Sequence, residues 1–150
     1  MQKDYSSYAP AYPHDSIEEI IPDVFMIRGT IRMNRLMRIT RNMAVIRHDG
    51  ELTLVNPIRL DEAGEAQLST LGEITRILRL GPMHGVDDPY YIDRWDAELW
   101  AQEESQAYPE PKPDHLISAT STLPFPDARL FCFEGMTQQE SALLIDRDGG

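Results

Sequence analysis

The chain has 150 residues, 41% of them apolar, with 14 Lys and Arg against 25 Asp and Glu for a formal charge of -11, which suits one compact domain with a real core and excludes disorder throughout. That charge repels phosphate backbones and anionic lipid, so neither nucleic acid nor a membrane surface is an expected partner. Cys132 is the only cysteine, which excludes an internal disulfide framework or a cysteine-based zinc knuckle; with no stretch of roughly 18 apolar residues, a soluble, cytoplasmic protein is expected.

Residues 1–16 mix Tyr, Ser, Pro and Ala without helical or strand period and read as a flexible N-terminal tail, with Asp15 or Ser16 placed to open a helical turn. From Ile17, IEEIIPDVFMIRGTIRM is a β-branched run broken by Pro22, and MRITRNMAVIRHDGELTLVNPI gives two strand-like runs meeting at Asp49-Gly50. Asp and Gly accept the positive φ of a tight hairpin turn. After Pro57 the spacing becomes helical in DEAGEAQLSTLG, with Ala63, Ala66, Leu68 and Leu71 on one face and Gly72 as the stop.

ITRILRL then predicts a strand alternating Ile74, Ile77 or Leu78, and Leu80, followed by the loop GPMHGVDDP. Pro89 to Trp95 reads as a short helix with Pro89 in its first turn and Asp88 as its N-cap, and Glu98 to Ala101 as a short strand. Five prolines between Tyr108 and Pro126 predict an extended loop, after which residues 129–133 and 141–145 are the last two strands. Strands alternating with short helices define an α/β domain, a layered mixed β-sheet with flanking short helices. Ile145-Asp146-Arg147-Asp148-Gly149-Gly150 reads either as a strand entering a hairpin turn that the chain does not complete, or as a frayed Gly-rich end. In the first case residues 17–150 form a domain incomplete at its C-terminus, and the unpaired edge would favour a homo-oligomer.

Chemistry in α/β domains sits outside the carboxyl ends of strands, which singles out the loop after ITRILRL. There His84, Asp87 and Asp88 supply one imidazole and two carboxylates, donors suited to a divalent zinc, iron or manganese ion in a variant mononuclear site. His115, from the Pro-rich loop, is a further candidate donor. The plainer alternative leaves His84 as a loop histidine and Asp88 as a helix cap. Arg28, Arg32, Arg35, Arg38, Arg41 and Arg47 form a basic ribbon without an intervening acid, a solvated strand face or a seat for an anionic molecule or acidic partner. Tyr90, Tyr91, Trp95 and Trp100 are expected to cluster in the core. Ser121 and Ser141 lack a nucleophile motif, and there is no Gly-rich phosphate loop.

The strand, the His/Asp loop, the short helix and the later stretch FEGMTQQESALLI together resemble the N-terminal half of the metallo-β-lactamase fold, an αββα sandwich, over residues 17–150. In that family an HxHxDH loop follows a strand, and a GHT turn precedes another. With Asp88 at the motif's Asp, His84 takes its first His, but Val86 and Pro89 stand where the other two would be; a shifted register sets His84 at the second His and Asp87 at the last. Met136 stands in Gly135-Met136-Thr137 where the GHT histidine would be, and a thioether cannot replace imidazole on zinc. The resemblance therefore implies a member lacking most of the usual ligands: a pseudoenzyme or binding protein, with a small molecule as an expected partner, rather than a dinuclear zinc hydrolase. Two alternatives stand beside it, a metal-dependent hydrolase using His84, Asp87 and Asp88, and an interaction module completed by a partner chain.

Overall fold

A computed structural model describes residues 3–102 and 107–147. The antiparallel half of its main sheet is a run of short turns. β1 (Glu18–Ile21) and β2 (Val24–Arg32) meet at Pro22-Asp23, where Asp23 takes φ 64°. β3 (Arg38–His48) and β4 (Glu51–Val55) meet at Asp49-Gly50 with φ 50° and 79°, two positive values in succession, as the Asp-Gly pair predicts. No helical turn forms at Asp15 or Ser16.

The parallel half needs crossovers, and the first two are helical. α1 (Glu62–Leu71) is capped by the Asp61 carboxylate, which accepts from the Gly64 N–H at 2.8 Å. It leads to β5 (Glu73–Arg79), and α2 (Asp88–Trp95) leads to β6 (Glu98–Ala101), which pairs with the two-residue β7 (His115–Leu116) in the Pro-rich loop. The order is β1-β2-β3-β4-β5-β6-β7, antiparallel to β4 and parallel beyond it. β8 (Ala128–Cys132) and β9 (Ser141–Ile145) form a separate antiparallel ribbon.

Two apolar clusters show the layering. One joins Phe25, Ile27, Met43, Val45, Leu52, Leu54, Ile77 and Leu99 of the sheet to Leu68, Tyr90 and Tyr91 of the helices. The other joins Ile46, Val55, Leu78 and Leu80 on the opposite face to Leu123, Phe125 and Leu130 beneath the ribbon. Helices, sheet and ribbon are therefore stacked in that order, and the expected layered α/β class is the observed one.

Some details differ from the sequence reading. α1 buries Gly64, Glu65 and Leu68, while Ala63 and Ala66 are exposed. The reason is polar: Glu65 is drawn inward by the Tyr90 hydroxyl and by Arg94 at 2.9 Å, and Gly64 lies against the His14 ring. Gly72 has an extended φ of 160° rather than a left-handed cap; a Cβ there would stand 2.4 Å from the Gly50 carbonyl oxygen. Trp100 leaves the expected aromatic group and stacks on His115, ring centroids 4.2 Å apart, beside the second cluster. Tyr90, Tyr91 and Trp95 do gather, joined by Tyr5 and Tyr8. Residues 3–16 have no helix or strand beyond a bridge from His14 to Gly29, yet they are laid on the body: Lys3 pairs with Asp93 at 3.0 Å, and Arg59 donates to the Tyr5 and Ala9 carbonyls. The expected turn at 148–150 lies outside the described residues.

Candidate site at the carboxyl end of the central strands

β5 ends in the polar loop that carries His84, Asp87 and Asp88. An irregularity at Thr75 shifts its pairing with β4, so Ile74 and Ile77, three apart, both reach the helix-side cluster. By alternation Arg79 lies on that face with Ile77, while Leu78 and Leu80 lie on the other. Arg79 is therefore buried under α2, 3% exposed, and its Nη1 is 3.2 Å from Oδ2 of Asp88, which is fully buried. Asp88 is the first residue of α2 and does not serve as its N-cap; Asp87 occupies that place without a side-chain capping bond.

Asp87 is held by a different cation. Gly29 is paired opposite Arg41 on β3, and Arg41 reaches the loop, its Nη2 2.6 Å from Asp87 Oδ2. The same oxygen accepts the Arg59 backbone N–H at 3.0 Å. Two carboxylates thus lie side by side in the chain, each matched to its own guanidinium. Burial is the main reason that the Asp88 carboxyl is pushed up to about 7; Arg79 opposes the rise and neighbouring Asp87 adds to it. Asp88 Oδ1 and Arg41 Nε, both buried, have no hydrogen-bond partner among the described residues.

His84 is half-exposed at the rim. Its Nε2 is 3.4 Å from a carboxylate oxygen of Glu140, from the loop between β8 and β9. That carboxylate lies over Gly81, where a Cβ would meet it at 2.0 Å. Ser141 N–H donates to the Leu80 carbonyl at 2.8 Å, which fixes the ribbon to the end of β5. The Ser141 hydroxyl accepts from Gln102 and donates to the Cys132 sulfur at 3.4 Å, a structural link. Met136 is exposed. His115 is engaged elsewhere, with Glu98 at 3.3 Å.

A divalent cation in this loop would need carboxylate and imidazole lone pairs free to converge on one point. Asp87 and Asp88 give oxygens to Arg41 and Arg79, and His84 faces Glu140. Among the described residues no three His, Cys, Asp or Glu side chains form a group able to hold a metal ion. The structure thus gives His84, Asp87 and Asp88 a different partner each. A guanidinium delivers charge and directional hydrogen bonds to a carboxylate, but no open coordination position.

No family profile matches the sequence, and no curated protein matches it. Solved structures do. The DIM-1 metallo-β-lactamase, in a crystal exposed to ceftazidime, superposes with a TM-score of 0.63 at 14% identity, over 81% of this chain and 60% of that one. FIM-1 from Pseudomonas aeruginosa, in its mono-zinc form, gives 0.60 at 15% identity over 81% and 59%. A metallo-β-lactamase from Hirschia baltica gives 0.56 at 11% over 77% and 60%. The chain has the metallo-β-lactamase fold, in part: it spans about 60% of the length of these enzymes. Among its described residues no helix is long and apolar enough to cross a membrane.

Arg79, Arg41 and Glu140 were missed in the sequence. Regular alternation along ITRILRL gives no warning of the shift at Thr75, Arg41 sits within a basic series that reads as solvated, and Glu140 lies in a polar loop.

Proposed function

We propose that this protein uses the metallo-β-lactamase fold for binding rather than for metal-dependent hydrolysis. The observation that carries the reading is the pairing of both loop carboxylates with guanidinium groups, Asp87 with Arg41 and Asp88 with Arg79. A metal-dependent hydrolytic centre must lower the pKa of a bound water with a cation that keeps an open position. Two arginines fixed by carboxylates make this corner a structural polar core instead. The His84–Glu140 pair at its rim is accessible and is the part of the site open to a small polar molecule. The lone, unpaired Cys132 suits a reducing, cytoplasmic setting.

The test is equilibrium dialysis of the protein against zinc, manganese and iron, followed by assay of esterase, lactonase and phosphodiesterase substrates with each metal. The reading predicts weak, non-stoichiometric binding and no stimulation. Metal-stimulated turnover abolished by His84→Ala would overturn it in favour of a mononuclear hydrolase.

A further inference from the structure

Residues 3–16 lie against α1 and α2 as a strap that is fastened near both ends. At one end Lys3 pairs with Asp93 of α2 at 3.0 Å, and the Tyr8 hydroxyl donates to the same carboxylate at 3.3 Å. At the other, His14 is seated between β2 and the start of α1, its side chain 6% exposed. Glycines make the seat: a Cβ at Gly64 would stand 2.8 Å from His14 Cε1, and one at Gly29, to which His14 is bridged, 3.3 Å from His14 Cβ. Between the two fastenings Arg59 lies over the Tyr90 ring at 4.2 Å and donates to the Tyr5 and Ala9 carbonyls, while Tyr5 and Tyr8 meet Tyr90 edge-on.

The hydrogen bonds of the seated ring fix its charge. Nδ1 is 2.8 Å from the Asp15 carbonyl oxygen, which can only accept, so Nδ1 carries a proton. Nε2 accepts the Asp61 backbone N–H at 2.9 Å, so it carries none. The seat therefore holds the neutral imidazole. A second proton must go to Nε2, where it would bring two donors face to face. The charged groups around the ring are already engaged. Asp61 Oδ1 is 3.4 Å from Nε2, but it accepts the Gly64 N–H at 2.8 Å as the cap of α1. Asp15 of the strap pairs with Arg28 of β2 at 3.3 Å. On α1 Glu65 turns to Tyr90 and Arg94, and on β3 Arg41 turns to Asp87.

We propose that His14 is a proton-operated latch: neutral, it fastens the strap to the start of α1, and a second proton taken from solvent onto Nε2 releases residues 3–16 from the helices. Release uncovers Tyr90 and the Arg59 guanidinium. It also reaches the polar loop, because the Arg59 N–H donates to Asp87 Oδ2 at 3.0 Å. The latch needs no metal and stands whether that loop binds or hydrolyses.

NMR of the full chain, titrated from about pH 8 to 5, reads the latch residue by residue. Near pH 7.5 the ring nitrogens should show a proton on Nδ1 and none on Nε2. As the His14 ring takes up its second proton, the Asp61 amide, and the Asp15 amide that donates to the Arg28 carbonyl at 2.7 Å, should exchange with solvent about tenfold or more faster after correction for intrinsic pH dependence. The Tyr5 and Tyr8 ring resonances should move together towards free tyrosine, with the midpoint of His14 rather than of His48, His84 or His115. His14→Gln keeps an uncharged acceptor towards Asp61 and should hold the strap at both ends of the range, whereas His14→Lys should free it at both. A proton on Nε2 near pH 7.5 overturns the proposal. So does a strap equally or better protected once the ring is charged, which would show Asp61 capturing the imidazolium. Acid release that persists in His14→Gln would assign the device to another group and also overturn it.

Discussion

Replacing Arg79 by Met removes the one cation that faces Asp88 among the described residues and keeps most of the buried volume. At 3.2 Å, with side chains 3% and 0% exposed, the Coulomb attraction at an effective dielectric constant near 20 is about 5 kcal/mol. Breaking buried pairs from one side costs about 3–5 kcal/mol. The loss has an upper bound, because Asp88 can take up a proton instead of remaining charged. Its carboxyl already titrates at about 7 with Arg79 present, and it moves higher once that charge is gone. At pH 8 the wild type holds an ion pair and Arg79→Met leaves a buried carboxyl that must be protonated or unpaired, so a loss of about 3 kcal/mol is expected. At pH 5.5 Asp88 is neutral in both proteins, and the loss falls to about 1 kcal/mol or less. Urea unfolding followed by circular dichroism at the two pH values measures the difference. Equal losses at pH 5.5 and 8, or a loss below about 0.5 kcal/mol at both, would refute the reasoning.

Asp88 also shapes the pH dependence of the wild type. Its folded pKa is raised above 3.8, so its stabilising contribution is complete below that value and is lost as pH rises through about 7. Between pH 5.5 and 8 the wild type should lose about 2 kcal/mol from this group, and Asp88→Asn should remove that slope in urea titrations. Gly72→Ala places a Cβ 2.4 Å from the Gly50 carbonyl oxygen, a backbone atom, and should cost more than about 2 kcal/mol in thermal or urea unfolding. Gly81→Ala meets only the mobile Glu140 carboxylate; it should cost less than about 1 kcal/mol while displacing Glu140 from His84, visible as a shift of the His84 ring resonances in NMR. Tyr91→Phe leaves the Ile58 carbonyl without the hydroxyl that donates to it at 2.8 Å and should cost about 1–2 kcal/mol.

The architecture was legible where the signal is local. Pro22, Asp49-Gly50 and Pro89 each act on their own backbone, and the strand and helix they bound follow at once. The layered α/β class followed from the alternation of those elements. Residues whose roles depend on distant partners were not legible. The face of α1 was misread because a buried Tyr90–Glu65–Arg94 network, rather than alanine spacing, decides which side turns inward. Asp88 looks like a cap from its neighbours alone; only a shift in a strand 13 residues earlier, which brings Arg79 beneath α2, gives its carboxylate a different partner. His84, Asp87 and Asp88 were singled out by residue type, which shows capacity to bind metal but not what else competes for the same lone pairs.

The most direct test is the metal content of protein purified without chelator, measured by inductively coupled plasma mass spectrometry alongside Arg41→Met/Arg79→Met. With guanidinium groups holding Asp87 and Asp88, the wild type should carry less than about 0.1 zinc, iron or manganese per chain. One tightly held ion per wild-type chain, lost in His84→Ala, would contradict the account.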